Sequence, residues 1–240
     1  MRRLSIILLL LLLGNAVADE EIPPLVIEEI QNGVYLHKSF SQVEGYGLVS
    51  SNGLVVVDGK DAFMVDTPWS EGDTEKLVEW INEKGLTLQG SISTHSHEDR
   101  TAGIGWLNAH GVPTYASALT NGFLEKAGMA QASNAFDGES LQLGDGLIEA
   151  FYPGPGHTED NIVVWLPESE VLYGGCFVRS QGSASLGYTG EADIGKWPAS
   201  VGKVMQKYPT ARIVVPGHGK MGDINLLDHT KKLAEAASEQ

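Results

Sequence analysis

Between residues 25 and 65 apolar and polar side chains alternate in short runs, LVIEEI, VYLHKSF, YGLVSS, LVVVDG and AFMVD, each separated by an Asn-Gly, Glu-Gly or Asp-Gly pair. A period of two bounded by such pairs predicts strands joined by tight turns, a meander. The period then lengthens. GDTEKLVEWINEKG places Leu77, Val78 and Ile81 on one helical face and stops at Gly85, after which GSISTH reads as another strand. TAGIGWLNAHG and SALTNGFLEKAG follow as short helices. A second cycle repeats the scheme: strands in LIEAFYPG, NIVVWLP and EVLYGG, a helix through DIGKWPASVGKVMQKYP, a strand in RIVVPGH and a final helix in LLDHTKKLAEAASE. Two successive strand-then-helix halves predict an α/β chain built as a four-layered αββα sandwich. Its two sheets lie face to face, with helices on both outer sides and a groove where strand ends meet.

The start of the chain departs from this scheme. MRRLSIILLLLLLGNAVADEE sets two arginines before an apolar run and Ala-Val-Ala before an acidic stretch, the layout of a secretory signal peptide over 1–18 with cleavage after Ala18. The run is too short to span a bilayer, no later segment approaches that length, and the residue directly after the cleavage point is not a cysteine. The mature chain, 19–240, is therefore expected to be one exported domain with no membrane anchor, periplasmic and monomeric. The formal charge of −15 becomes more negative once the leader's arginines are gone, which argues against a nucleic-acid partner. The single cysteine, Cys176, has no disulfide partner in its own chain, so it is either an inert buried thiol or a ligand held as thiolate.

The second alternative gains weight from its company. STHSHEDR puts His95, His97 and Asp99 two residues apart beyond a predicted strand, and residues i and i+2 of an extended segment share a side. Further on, PGPGHTEDN carries His157, YGGCFVRS carries Cys176 and VVPGHGKMGD carries His218, each where a predicted strand runs into a glycine-rich turn. Sorted by chemistry, His95, His97 and His157 make a neutral three-nitrogen site. Asp99, Cys176 and His218 make a mixed oxygen, sulfur and nitrogen site. Both suit zinc with a coordination position left open. His37 in a strand, His110 before the helix-ending Gly111 and His229 in the last helix are read as packed or surface residues.

The ligand set, in this order and spacing, resembles the metallo-β-lactamases, specifically the di-zinc subclass with a three-His and an Asp-Cys-His site. GLVSSNGLVVVD, DTPW, FYPGPGHTEDN, GGCFVRS and VVPGHGKMGD extend the resemblance over nearly the whole mature chain. It implies two zinc ions per chain, β-lactam antibiotics as substrates (penicillins, cephalosporins and carbapenems) and antibiotic resistance as the outcome. It also implies attack on the ring carbonyl by a zinc-bound hydroxide, with the second zinc stabilising the departing nitrogen and Asp99 positioning that ion and its water. Arg179 stands where the family holds a basic residue for the substrate carboxylate, and Arg100 is expected to support Cys176 and Asp99 from beneath the metals. Asp66 is expected to orient a ligand histidine through a hydrogen bond, as Arg100 supports its neighbours from behind the metals. Tyr188 occupies the place where the subclass often has an asparagine that assists the carbonyl, and either donates in its stead or stacks. The turn SFSQVEGYGL resembles a mobile hairpin over the substrate, with Val43 and Tyr46 as apolar contacts, and Trp69 is expected partly in the core and partly in the pocket wall.

Two rivals stand beside this reading. One is another di-metal hydrolase of the same superfold acting on a thioester or phosphodiester. Thiolesterases of that kind carry a histidine directly after the motif aspartate and a later bridging aspartate, where this chain has Arg100 and Cys176. The other is a zinc-binding protein without catalysis, which would need a closed site rather than two open ones.

Overall fold

The computed structural model describes residues 21–239, so the expected leader and the cleavage point after Ala18 lie outside the described residues. The first sheet follows chain order: β1 (Val26–Gln31), β2 (Val34–Val43), β3 (Gly47–Asp58), β4 (Asp61–Val65), β5 (Thr87–Ile92), β6 (Thr114–Ser117) and β7 (Asn134–Phe136). β1 to β4 are the antiparallel meander, and β5, β6 and β7 add in parallel. Parallel neighbours cannot be joined by tight turns, and helices make the crossovers. These are α1 (Glu71–Glu83), the pair α2 (Glu98–Thr101) and α3 (Ile104–Ala109), and α4 (Ala118–Ala127). The second sheet contains β8 (Ser140–Leu143), β9 (Ile148–Phe151), β10 (Val163–Leu166), β11 (Val171–Gly175) and β12 (Ile213–Pro216), in the order β12-β11-β10-β9-β8. It is antiparallel except for β11 and β12, which α5 (Trp197–Lys207) connects in parallel; α6 (Asn225–Ser238) follows.

The period of two in the strands is what produces four layers. Leu54, Val56 and Val65 point between the sheets to meet Val164, Leu166, Val171 and Tyr173, while their neighbours Val55 and Met64 point outward to Leu77 and Ile81 of α1 and Leu107 of α3. On the far side Val163, Trp165 and Leu172 face Trp197, Val201 and Val204 of α5 and Leu226 and Leu227 of α6. Each strand thus feeds two cores, and the expected αββα order is the one observed.

TAGIGWLNAHG makes its expected short helix, α3; the separate turn α2 precedes it, and Gly103 between them sits so close to Thr74 that a Cβ there would come within 2.9 Å of the Thr74 Cβ. Two details differ from expectation. The short strands β6, β7 and β8 carry too few residues to show a period. The second difference concerns Asn52-Gly53. It makes no turn, and the two runs it was expected to separate form one 12-residue strand, β3. Gly53 pairs with His37 across the β2–β3 ladder, and the His37 ring occupies the space over it. His37 Nε2–H donates to the Asp66 carbonyl at 3.1 Å, and burial lowers its pKa to about 4, so the imidazole is neutral. Asn52 is turned to another use: its backbone N–H donates to the Gly217 carbonyl at 2.8 Å, and its side-chain amide donates to the carbonyls of Pro216 and Gly219 at 2.9 Å each. The middle of β3 therefore brackets the turn that carries His218.

Gly53→Ala tests this packing. Its Cβ would press on the His37 ring and come within 2.7 Å of the Val65 carbonyl oxygen, which is backbone and cannot swing away. Overpacking of this kind is expected to cost about 3 kcal/mol, a melting temperature lower by roughly 6–12 °C in a domain of this size. An unchanged melting curve would mean that the ring has room to move.

Candidate metal centre

Four chain segments leave strand ends on one side of the sandwich, and each delivers ligand-type side chains. His95 and His97 follow β5, His157 lies between β9 and β10, Cys176 follows the last residue of β11, and His218 follows β12. The side-chain donors of His95, His97 and His157 lie within 4.8 Å of one another, and their rings stand edge to face with centroids 4.6–5.0 Å apart. His157 Nε2 and His97 Nδ1 are 3.2 Å apart. Burial first, and the neighbouring imidazole of His97 next, hold the pKa values of His95 and His157 well below the ordinary histidine value. Neutral lone pairs thus converge on a buried point where His95 Nε2 has no protein partner. That is the environment a cation relieves, so the residues fit a metal ion.

The second donor set adjoins the first. Asp99, Cys176 and His95 present donors within 4.8 Å, and His218 Nε2 lies 3.3 Å from both Cys176 Sγ and Asp99 Oδ2. His218 Nδ1–H donates to the Ser50 carbonyl at 2.7 Å, which leaves Nε2 aimed at the pair. Burial works to lower the His218 pKa, but Cys176 and Asp99 raise it to about 10. This corner therefore favours positive charge. Asp99 shows the converse: burial opposes ionisation, yet Arg100, His218 and His95 hold its carboxyl well below the usual carboxylate range.

Arg100 lies fully buried under both sets. Its Nη2 pairs with Asp99 at 2.7 Å and donates to Cys176 Sγ and the Gly217 carbonyl at 3.1 Å each, and its Nη1 donates to the Asn52 carbonyl at 2.6 Å. The reading of Asp66 needs correction. Its carboxylate touches no ligand histidine; it accepts from the Thr94 N–H at 2.6 Å, the Thr94 hydroxyl at 2.8 Å and the Tyr173 hydroxyl at 2.7 Å. Asp66 thus fixes His95 through the preceding residue, because β5 ends at Ile92 and the chain must bend there. Its backbone is left-handed, φ 57°, a conformation that aspartate tolerates better than most residues. The extended run expected from His95 to Asp99 is also corrected. His97 caps the start of α2 and Asp99 lies in that helix, so a change from strand to helix separates the two donor sets.

A cleft of about 450 Å³ opens over the donors, lined among others by Val43, Tyr46, Trp69, Arg179 and Tyr188. Tyr46 and Tyr188 are exposed, and the Tyr188 ring stands 5.9 Å from that of His97. Trp69 is half-buried, with its ring 6.1 Å from His218. Gly45 and Gly47 take φ of 79° and 73° at the hairpin tip, where a side chain would strain the turn.

Several side chains that hold the candidate ligands in place escaped the sequence reading because nothing in their spacing marks them. Glu191 Oε2 lies 2.6 Å from His97 Nε2, which identifies Nε2 as the protonated nitrogen and leaves Nδ1 facing His157. Asp160, fully buried, accepts the Ser96 N–H at 2.8 Å and so ties the His157 segment to the one holding His95 and His97. Tyr173 reads as an interior strand residue, yet its hydroxyl joins Asp66 to Arg100.

Comparisons with known proteins agree with this geometry. The sequence profile of the metallo-β-lactamase superfamily matches residues 46–218. The chain is 46% identical over 230 residues to a metallo-β-lactamase type 2 of Pseudomonas aeruginosa, covering 96% of this chain and 92% of that one. Among solved structures, TMB-1 superposes with a TM-score of 0.89 at 64% identity, covering 90% of this chain and all of that one. The metallo-β-lactamase DIM-1 exposed to ceftazidime gives 0.90 at 57% identity, covering 91% and 100%.

Glu191→Ala removes the acceptor at the far nitrogen of His97. Loss of such a partner is expected to weaken divalent-metal binding about 10–100-fold, measured by competition with a chromophoric chelator, while Glu191→Gln retains an acceptor oxygen and should lie between. Equal affinity in all three proteins would show that the contact does not orient the ring.

Proposed function

Because the chain belongs to the metallo-β-lactamase superfamily and its activity is β-lactam hydrolysis, we propose that it binds two zinc ions and opens the ring of penicillins, cephalosporins and carbapenems. The observation that carries this reading is the pair of adjoining donor sets of unlike chemistry, three imidazoles beside a carboxylate, a thiol and an imidazole, beneath a cleft of substrate size. Zinc bound there supplies Lewis acidity for the ring carbonyl and lowers the pKa of water, so no activated serine or cysteine nucleophile is required.

His95, His97 and His157 hold the first ion, and Asp99, Cys176 and His218 the second. Asp99 is the catalytic side chain: kept ionised by Arg100, it fixes the second ion and orients the water. Arg100 also balances the charge at Cys176. Arg179 binds the substrate carboxylate; its planar fork suits two parallel hydrogen bonds. Tyr188, at the rim beside His97, takes the carbonyl side of the substrate by hydrogen bond or by stacking. Val43 and Tyr46 on the hairpin and Trp69 in the wall contact its apolar parts. Asp66, through Thr94, keeps His95 aimed. The chain works as a single domain, 19–240, a periplasmic monomer released from its leader after Ala18. Among the described residues no helix is long and apolar enough to cross a membrane.

Two experiments test this. The mature protein should hydrolyse a penicillin, a cephalosporin and a carbapenem, lose that activity on exhaustive chelation and regain it with zinc. Aztreonam should turn over poorly, because a monocyclic ring lacks the fused-ring carboxylate for Arg179. Activity that survives chelation overturns the mechanism, and efficient aztreonam turnover overturns the Arg179 contact. Cys176→Ser should leave the three-histidine site intact and weaken the second, giving a folded protein with closer to one zinc than two and sharply reduced turnover. Two tightly held ions with unchanged hydrolysis would mean that Cys176 is a packed thiol.

A further inference from the structure

Between β11 and α5 the chain runs through residues 176–196 without regular secondary structure, and both Arg179 and Tyr188 sit in this segment. Such a stretch fixes a substrate-binding side chain only if something holds its backbone. The nearest metal ligand, Cys176, holds its first residue alone. Beyond Cys176, two bonds come from α6, a helix of the outer layer.

The Arg179 backbone N–H donates to Thr230 Oγ1 at 2.8 Å. Thr230 is fully buried, and its hydroxyl proton is committed to the Leu226 carbonyl at 2.7 Å, so its lone pair is fixed toward Arg179. One residue earlier on the helix, His229 Nε2–H donates to the Ser183 carbonyl at 3.0 Å. Ser183 is itself drawn into a tight turn, its N–H on the Ser180 carbonyl at 3.0 Å and the two hydroxyls 3.2 Å apart. The segment then returns through Gly187, whose φ is 72° and where a Cβ would come within 2.9 Å of the Arg179 guanidinium. The arginine side chain is thus confined between a turn pinned to α6 and a glycine that leaves room for it. Arg179 Nε is buried without a partner, so recognition falls to the outer end of the guanidinium, which borders the cleft.

We propose that His229 and Thr230 are positioning residues for substrate recognition: by fixing the backbone at Ser183 and Arg179 they set where the guanidinium meets the substrate carboxylate. The inference rests on the reading of Arg179 given above and concerns two side chains that are neither proposed metal ligands nor among the residues lining the cleft. An interaction of this kind is made alike with the bound substrate and its transition state, so its loss raises KM and leaves kcat nearly unchanged.

The test compares His229→Ala and Thr230→Val with the conservative His229→Gln and Thr230→Ser, using the zinc-loaded enzyme. Substrates are a penicillin and its methyl ester, which lacks the free carboxylate. His229→Ala and Thr230→Val should each raise KM for the penicillin about tenfold, the loss expected for one positioning hydrogen bond. The values of kcat and zinc per chain should stay at those of the parent. Gln and Ser should restore most of the KM, the ester should show no change, and the effect should vanish in an Arg179→Ala background. Thr230 is buried and Thr230→Val can destabilise the helix; His229 is partly exposed, so the His229 pair decides the matter alone if that variant does not fold. An unchanged KM in folded His229→Ala, an equal rise for acid and ester, or a loss in kcat or zinc instead would overturn the proposal. If the parent enzyme hydrolyses no β-lactam, the functional reading has failed; if it does and the variants keep its KM, this inference alone has.

Discussion

The centre of this protein depends on one buried cation. Arg100 has no exposed surface, and a guanidinium removed from water is tolerable only when its N–H groups meet acceptors and its charge meets anions. Asp99 and Asp66 supply the charge, and the Asn52 and Gly217 carbonyls, the Tyr173 hydroxyl and the Cys176 sulfur supply acceptors. These groups come from β3, the end of β4, α2, β11 and the turns after β11 and β12. Pairing the two Nη groups of one arginine, whose buried Nε meets no acceptor, therefore fixes the relative positions of the segments that carry Asp99, Cys176 and His218. The donors of the second set are held from below before any ion is considered.

The first donor set is held differently. Asp160 clamps the backbone at Ser96, Asp66 clamps it at Thr94, and Glu191 approaches His97 from the solvent side. Three carboxylates thus surround three imidazoles without competing for their metal-facing nitrogens. The chemistry of each donor set is decided by its neighbours as much as by its ligands: carboxylates behind histidines in one, a guanidinium behind a carboxylate and a thiol in the other.

Much of this was legible in the sequence, and the limits have physical causes. The four layers follow from a period of two flanked by a period near 3.6, which is why Val55 and Val56 could be expected in different cores. The candidate ligands were legible because they sit where predicted strands run into glycine-rich turns. Asn52-Gly53 misled because the same pair serves a turn or, as here, a strand pressed against a neighbouring ring; only the position of His37 tells them apart. Asp66 misled for a related reason. That an aspartate serves the site could be expected, but whether it bonds a histidine or the residue before one depends on how the chain bends after Ile92. Tyr173, Asp160 and Glu191 act across sequence distances that no local pattern encodes.

One consequence lies in the unbroken length of β3. The same strand starts at the hairpin tip, passes the carbonyl that holds His218 at Ser50, and reaches the Arg100 acceptor at Asn52, paired to β2 in constant register from end to end. Mechanically this is a cantilever clamped beside the two donor sets. A load on Val43 or Tyr46 is borne by a stiff two-stranded arm, and the compliance is left to the few residues around Gly45 and Gly47. Any yielding of the rim is thus confined to the hairpin tip, while the backbone at Ser50 and Asn52 beneath the cleft stays paired to β2.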